Sequence, residues 1–428
     1  MAACHNDDPD PSQPQQHFGR TVLVYMAMQN SLGYSNYHKG DSAEIANAMS
    51  YIPKDDRLLL FIDDAKKPRI YELNNTLSAT DPKTGKPYGP KLVKQWANEA
   101  SSATPAVLSE VLEYMRLNYA SDSYGLVMGS HANGWLPVEL YPTGNSRRRK
   151  TFGIDVGPDG SMRDDMGVAH STPDQITIDD LASSIGKSST KLDFIMFDAC
   201  LMQNIEVAYA LRNAAKYIIA SPISISGQGA YYTDLVHYGF FSSNPTDVAT
   251  TYVNYYLGNG SVPTDSESKD YGTVISCIDT KGLEHLADII SDIITELSGA
   301  SDPAAKVEAL KQKDMSAALN YHTYSRTYVY RPHYYDLVSA IQTLGADAMQ
   351  MKALRQALSD VVTYQGATQR FWIGPSIFAY KAMPTSLDDW CGISMFVPQQ
   401  FYSYNAVNCV FGDLNEAYKD TEWYKKVY

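Results

Sequence analysis

Cysteine is scarce in this chain. Five thiols are spread over 428 residues, at Cys4, Cys200, Cys277, Cys391 and Cys409, too few and too scattered for a disulfide framework. Positive charge is in deficit too: 35 Lys and Arg face 48 Asp and Glu, for a net charge of −13. That balance argues against nucleic acid and anionic membrane surfaces as partners, and it suits basic peptides. No apolar run reaches the ~20 residues that a membrane-spanning helix needs. There is no Gly-rich phosphate loop, no closely spaced His pair and no Cys cluster. What remains is 44% hydrophobic and 19% charged, the composition of a globular chain. Its length favours a large α/β domain with an appended region.

The most informative stretch is Lys191 to Cys200, an apolar run that ends abruptly in Asp198-Ala199-Cys200. Leu201, Ile205, Ala208 and Leu211 follow at helical spacing, so the pattern predicts a strand, then Cys200, then a helix from 201 to 212. Open α/β sheets build their sites at the carboxyl ends of strands, and a helix amino terminus there would lower a thiol pKa. Ser123 to His131 is a second apolar strand, ending in a His before Ala132-Asn133-Gly134-Trp135. Two strands thus deliver His131 and Cys200 to one sheet edge, as nucleophilic catalysis requires: a thiolate to attack a carbonyl, and an imidazole to activate it and protonate the leaving group. The His precedes the Cys, the reverse of the papain order. Asp198 lies two residues before Cys200 and so faces the same side of the strand. A carboxylate in a pocket floor there would select Arg or Lys.

At these residues the chain resembles the clostripain family of cysteine peptidases, relatives of caspases, legumains and gingipains. The resemblance starts at Thr21 to Leu32, continues through Ser130 to Trp135 and Asp198 to Met202, and ends with Gly392 to Pro398 and Trp423. It implies a caspase-like α/β fold: a mostly parallel central sheet, helices on both faces, and further strands from the C-terminal region. It implies a cysteine endopeptidase with Cys200 as nucleophile, His131 as acid/base, oxyanion donors near Cys200 and Gly134, and Asp198 as specificity residue. It also implies processing at a basic site between His and Cys, where Arg147-Arg148-Arg149-Lys150 lies. No cofactor is expected. Some members depend on calcium, but the hint of a calcium loop at Asp155 fails at Gly157 and Met166. Two positions depart from the family pattern, Ala132 for Gly and Gln29 for Asp. A peptidase-like binding module with weak or no catalysis is therefore the alternative reading.

Along the chain, residues 1–17 read as a disordered tether, 18–239 as the peptidase core, and 240–428 as a C-terminal region packed on the core and extending it. Strands are expected at 21–28, 57–62, 216–221, 271–278 and 392–397, with the last two joining the main sheet. Helices are expected at 41–49, 104–119, 281–297, 302–319 and 334–364. Cys4, preceded by small residues and followed by a Pro-, Asp- and Gln-rich tether, resembles the start of a mature bacterial lipoprotein. This predicts an exported, lipid-anchored protein at the cell surface or in the periplasm. Cys277 reads as a core thiol, Cys391 and Cys409 as free to pair, His170 and His237 as structural, and Asp179-Asp180 as a helix amino-terminal feature.

Overall fold

The computed structural model describes residues 16–64, 66–136, 152–155, 174–187, 192–326, 329–374, 379–402 and 413–428, with backbone alone at 324–326 and 329–330. The processing stretch 147–150, His170, Cys4, Cys409 and most of the failed calcium loop lie outside them.

Nine strands form the main sheet. In chain order they are β1 (Phe18–Ala27), β2 (Arg57–Asp63), β3 (Arg69–Leu73), β4 (Lys91–Gln95), β5 (Ser121–Gly129) and, after the small β6–β7 pair (Phe152–Asp155 and Asp174–Ile176), β8 (Leu192–Asp198), β9 (Ala215–Ala220), β10 (Val274–Asp279) and, beyond β11 (Asn320–Arg326) and β12 (Val329–Asp336), β13 (Val362–Ala367). Their spatial order is β13-β10-β9-β8-β5-β1-β2-β3-β4. The five central strands, β9 to β2, run parallel. Two antiparallel strands finish each margin. The sheet is the mostly parallel one expected, with its parallel part in the middle, where both faces are covered.

Alternation along the strands explains the coverage. Leu23, Tyr25 and Ala27 of β1 pack into one core, and Val22, Val24 and Met26 into another. β8 does the same with Ile195 and Phe197 against Phe194 and Met196. Successive residues of a strand point to opposite faces, so a run that is apolar at every position is one that is buried on both. Helix α3 (Pro105–Asn118) joins the first core through Leu108, Val111, Leu112 and Met115; its N-cap Thr104 accepts from the Val107 N–H, and Pro105 sits in the first turn, where a missing N–H costs nothing. After a short α1 (Ser31–Tyr34), helix α2 (Tyr37–Asn47) sends Ile45 into the second core.

The C-terminal region departs from the sequence expectation. β10 joins the sheet as foreseen, with Cys277 fully buried. The segment at 392–397 does not. Its strand, Ser394–Met395, pairs antiparallel with β12 in a separate three-stranded sheet, and β13 takes the place beside β10. The single helix expected over 334–364 is β12, helices Leu337–Leu344 and Ala348–Ser359, and then β13. Gly345, with φ +107, ends the first of these helices. The positive φ a C-cap needs favours glycine. The helix expected over 302–319 stops at Lys311. Cys391 is a free thiol against Asp336.

Candidate active site

The register of β5 and β8 sets the site. Gly129 pairs with Asp198. His131 and Cys200 each lie two residues beyond that pair, on neighbouring parallel strands, which stand ~4.8 Å apart. Both line one cleft of about 300 Å³, with Asp198, Asp41 and Glu267. The sequence expectation that His131, Cys200 and Asp198 share a sheet edge describes this arrangement.

Cys200 is partly buried, and its Sγ lies 3.9 Å from the Ile225 carbonyl oxygen. Burial pushes its thiol above the ordinary value. This corrects the expectation of a thiol lowered by a helix terminus. The helix after it, α5 (Ile205–Ala210), starts five residues later, with Asn204 as N-cap accepting from the Val207 N–H. Between them the chain turns sharply. Leu201 takes φ +62, a left-handed conformation that costs a residue with a Cβ ~1–2 kcal/mol, and it stays because the Leu201 N–H bonds the Ile223 carbonyl at 3.0 Å and its side chain is buried. Helical spacing from Leu201 to Leu211 was therefore packing periodicity that began before the helix did.

His131 is partly exposed. Its Nε2 lies 2.8 Å from the Ser31 Oγ, and its carbonyl accepts from the Gly153 N–H at 3.0 Å. Ser31 was not singled out from the sequence. The signal available was the turn Asn30-Ser31-Leu32, within the opening motif of the resemblance. Asn30 builds that turn. Its side chain accepts from the Leu32 N–H, and donates to the carbonyls of Ala27 and Ile154, each at 2.9 Å. Gly33 follows because a Cβ there would fall 1.7 Å from the Met28 carbonyl oxygen.

The remaining predicted residues fall as follows. Asp198 faces the α2 side of the sheet, where its carboxylate accepts from the Ala230 N–H at 3.1 Å and the Tyr232 hydroxyl at 3.0 Å. Burial raises its pKa to about 6. Gly134 has φ +57, and a Cβ there would meet Asn204 and Tyr334 side chains and the Leu201 carbonyl. It is buried beside the Cys200 turn and is not among the cleft-lining residues. Ala132 adopts no positive φ, so its Cβ imposes no backbone strain. His237 stacks on Tyr51 at 3.7 Å, away from the cleft. Asp179 and Asp180 occupy the first turn of helix α4 (Ile178–Gly186), as expected. Among the described residues no group of three or more His, Cys, Asp or Glu is placed to hold a metal ion, and no helix is long and apolar enough to cross a membrane.

Comparison with known proteins places this geometry. Clostripain of Hathewaya histolytica is 25% identical over 272 residues, which cover 58% of this chain and 48% of that protein; the chain thus spans about half the length of this relative. A secreted C11 cysteine protease of Bacteroides thetaiotaomicron, solved with an irreversible peptide inhibitor, is 24% identical with a TM-score of 0.70, covering 96% of this chain and 98% of its own. An inactive zymogen C11 protease of Parabacteroides distasonis is 25% identical with a TM-score of 0.69 and the same coverage. The model of the clostripain family matches residues 24–427, nearly the whole sequence, and the chain belongs to the clostripain family of cysteine peptidases.

Proposed function

We propose that this protein is an endopeptidase that cleaves after Arg or Lys, with Cys200 as nucleophile and His131 as acid and base. The carrying observation is the shared register of β5 and β8, which brings the two side chains to one cleft beyond adjacent strand ends. Burial keeps the Cys200 thiol protonated at rest. His131 therefore takes its proton as the sulfur attacks the scissile carbonyl, then gives that proton to the leaving amine. Water attacks the resulting thioester, with His131 again as base. The Cys200 backbone N–H is the oxyanion donor we favour. Gly134, expected from the sequence as a second donor, shapes the turn behind the cleft. Ser31 holds the imidazole ring.

Asp198 lines the cleft together with Cys200 and gives it negative charge above about pH 6. This supports a preference for basic residues before the cleaved bond. The same preference supports self-processing at 147–150. The Bacteroides relative described as secreted supports export, and we assign Cys4 as the lipid-bearing residue. The test of the dyad is cleavage of Arg and Lys peptides by Cys200→Ala and His131→Ala. Both should lose turnover with unchanged melting temperature, because nucleophile and base fail as a unit. Full activity in Cys200→Ala would end the assignment.

A further inference from the structure

Three carboxylates line the cleft: Asp41, Asp198 and Glu267. Two of them are already engaged. Glu267 accepts from the Gly227 N–H at 2.7 Å through one oxygen and from the Tyr37 hydroxyl at 3.1 Å through the other. Asp198 accepts from the Ala230 N–H and the Tyr232 hydroxyl. Even Glu44, one turn along α2 from Asp41, accepts from the Tyr232 N–H at 2.8 Å. Asp41 differs. It lies on the buried face of α2 with His38 and Ile45 and is only 9% exposed. Apart from its own backbone amide, no donor or cation among the described residues engages its carboxylate. The Asp198 and Glu44 charges lie close enough to oppose its ionisation further.

Burial pushes the Asp41 carboxyl well above its ordinary value, and a cation arriving in the cleft favours its ionised form again. The open side of Asp41 is the cleft that also holds Cys200 and His131. β8 alternation puts Asp198 on the face that α2 covers, so Asp41 and Asp198 approach the cleft from helix and strand. Met28 and Leu32 line the same cleft and offer apolar cover for an aliphatic stem.

We propose that Asp41 is a specificity-determining residue, the carboxylate that pairs with the cationic end of an Arg or Lys side chain seated before the scissile bond. Asp198 then supplies field and shape, its own hydrogen bonds being satisfied by the protein. The inference rests on the basic-pocket reading above.

The test compares wild type, Asp41→Asn and Asp198→Asn on peptides that differ only in the residue before the cut: Arg, Lys or citrulline, the neutral isostere of Arg. Alkylation of Cys200 by iodoacetamide and the melting temperature report site and fold integrity. Asp41→Asn should lower kcat/KM on Arg and Lys peptides roughly 30-fold or more, equivalent to ~2 kcal/mol, and collapse the Arg-to-citrulline ratio, with the alkylation rate retained. Asp41→Ser should repeat the result if the Asn variant melts early. Asp41 variants within about threefold of wild type on Arg, beside a deficient Asp198→Asn, would overturn the inference and leave the pocket reading intact. Equal cleavage of Arg and citrulline peptides by wild type would overturn the pocket reading itself.

Discussion

Glu206 offers a test of how the turn after Cys200 is held. It sits in the first turn of α5, is 1% exposed, and accepts from the Phe396 N–H at 2.9 Å. Next to it, the Ser394 N–H donates to the Gln203 carbonyl at 2.9 Å. The turn after Cys200 is thus stitched to the 394–396 segment. Burial raises the Glu206 pKa from 4.5 to about 7. A carboxyl raised on folding contributes most below its unfolded pKa, and that contribution is lost as pH rises through the folded one. At ~1.4 kcal/mol per tenfold change in proton affinity, charging Glu206 in place costs about 3 kcal/mol. Glu206→Gln keeps an oxygen for the Phe396 N–H and cannot charge. Its advantage over wild type should grow from near zero at pH 4 to about 3 kcal/mol at pH 8. Urea unfolding of both proteins at pH 4, 6 and 8 reads this directly. Asp63 and Glu44, raised to about 7, and His322, lowered to about 4, act equally in both proteins and cancel in the difference. A difference that does not change with pH, or a variant less stable at pH 8, would refute the reasoning.

Asp198→Asn should slow cleavage of basic peptides and remove the loss of rate that wild type shows as pH falls through about 6; the pH profile of kcat/KM checks both. Ser31→Ala should lower kcat by about fivefold, the ~1 kcal/mol of one hydrogen bond, with recovery in Ser31→Thr. Purified wild type should nick near 147–151 while Cys200→Ala stays whole, followed by gel and intact mass; equal nicking of both would assign the cut to another protease. Cys4 should carry lipid in the native host, visible by mass spectrometry of the amino-terminal peptide.

The site was legible where chemistry and periodicity agree. Apolar runs ending at His131 and Cys200 mark parallel strands buried on both faces, and such strands deliver their last residues to one edge. The turn after Cys200 was not legible. Leu201 belongs to the core by hydrophobicity, and only its left-handed backbone, fixed by Ile223 and by packing, separates it from the helix its spacing suggests. Ser31 was hidden for a different reason. It is a small polar residue whose role depends on a partner 100 positions away, and no local pattern records that. Asp41 was hidden too, since a lone acid in a helix reads as solvent-facing until burial shows otherwise. The 334–364 segment failed because Asp336 begins one helix and Asp347 another, and their spacing imitates a single long periodicity.

The two departures from the family pattern have separate local causes. Ala132 bridges to Phe152 on an extended stretch with no positive φ, so glycine's freedom is not needed there. Gln29 is buried, and its amide donates to Asp63 at 2.9 Å. An Asp at position 29 would set two carboxylates together in a site where burial already raises Asp63 to about 7, and like charges in low dielectric repel strongly. Asp63 in turn accepts from the Ser102 N–H at 3.0 Å, ahead of α3. Gln29 and Asp63 therefore form one unit that joins the ends of β1 and β2 to the α3 approach, directly before the Asn30 turn that positions Ser31 and His131. Restoring Asp at 29 alone should destabilise this chain, whereas Ala132→Gly should leave both stability and the His131–Ser31 contact in place.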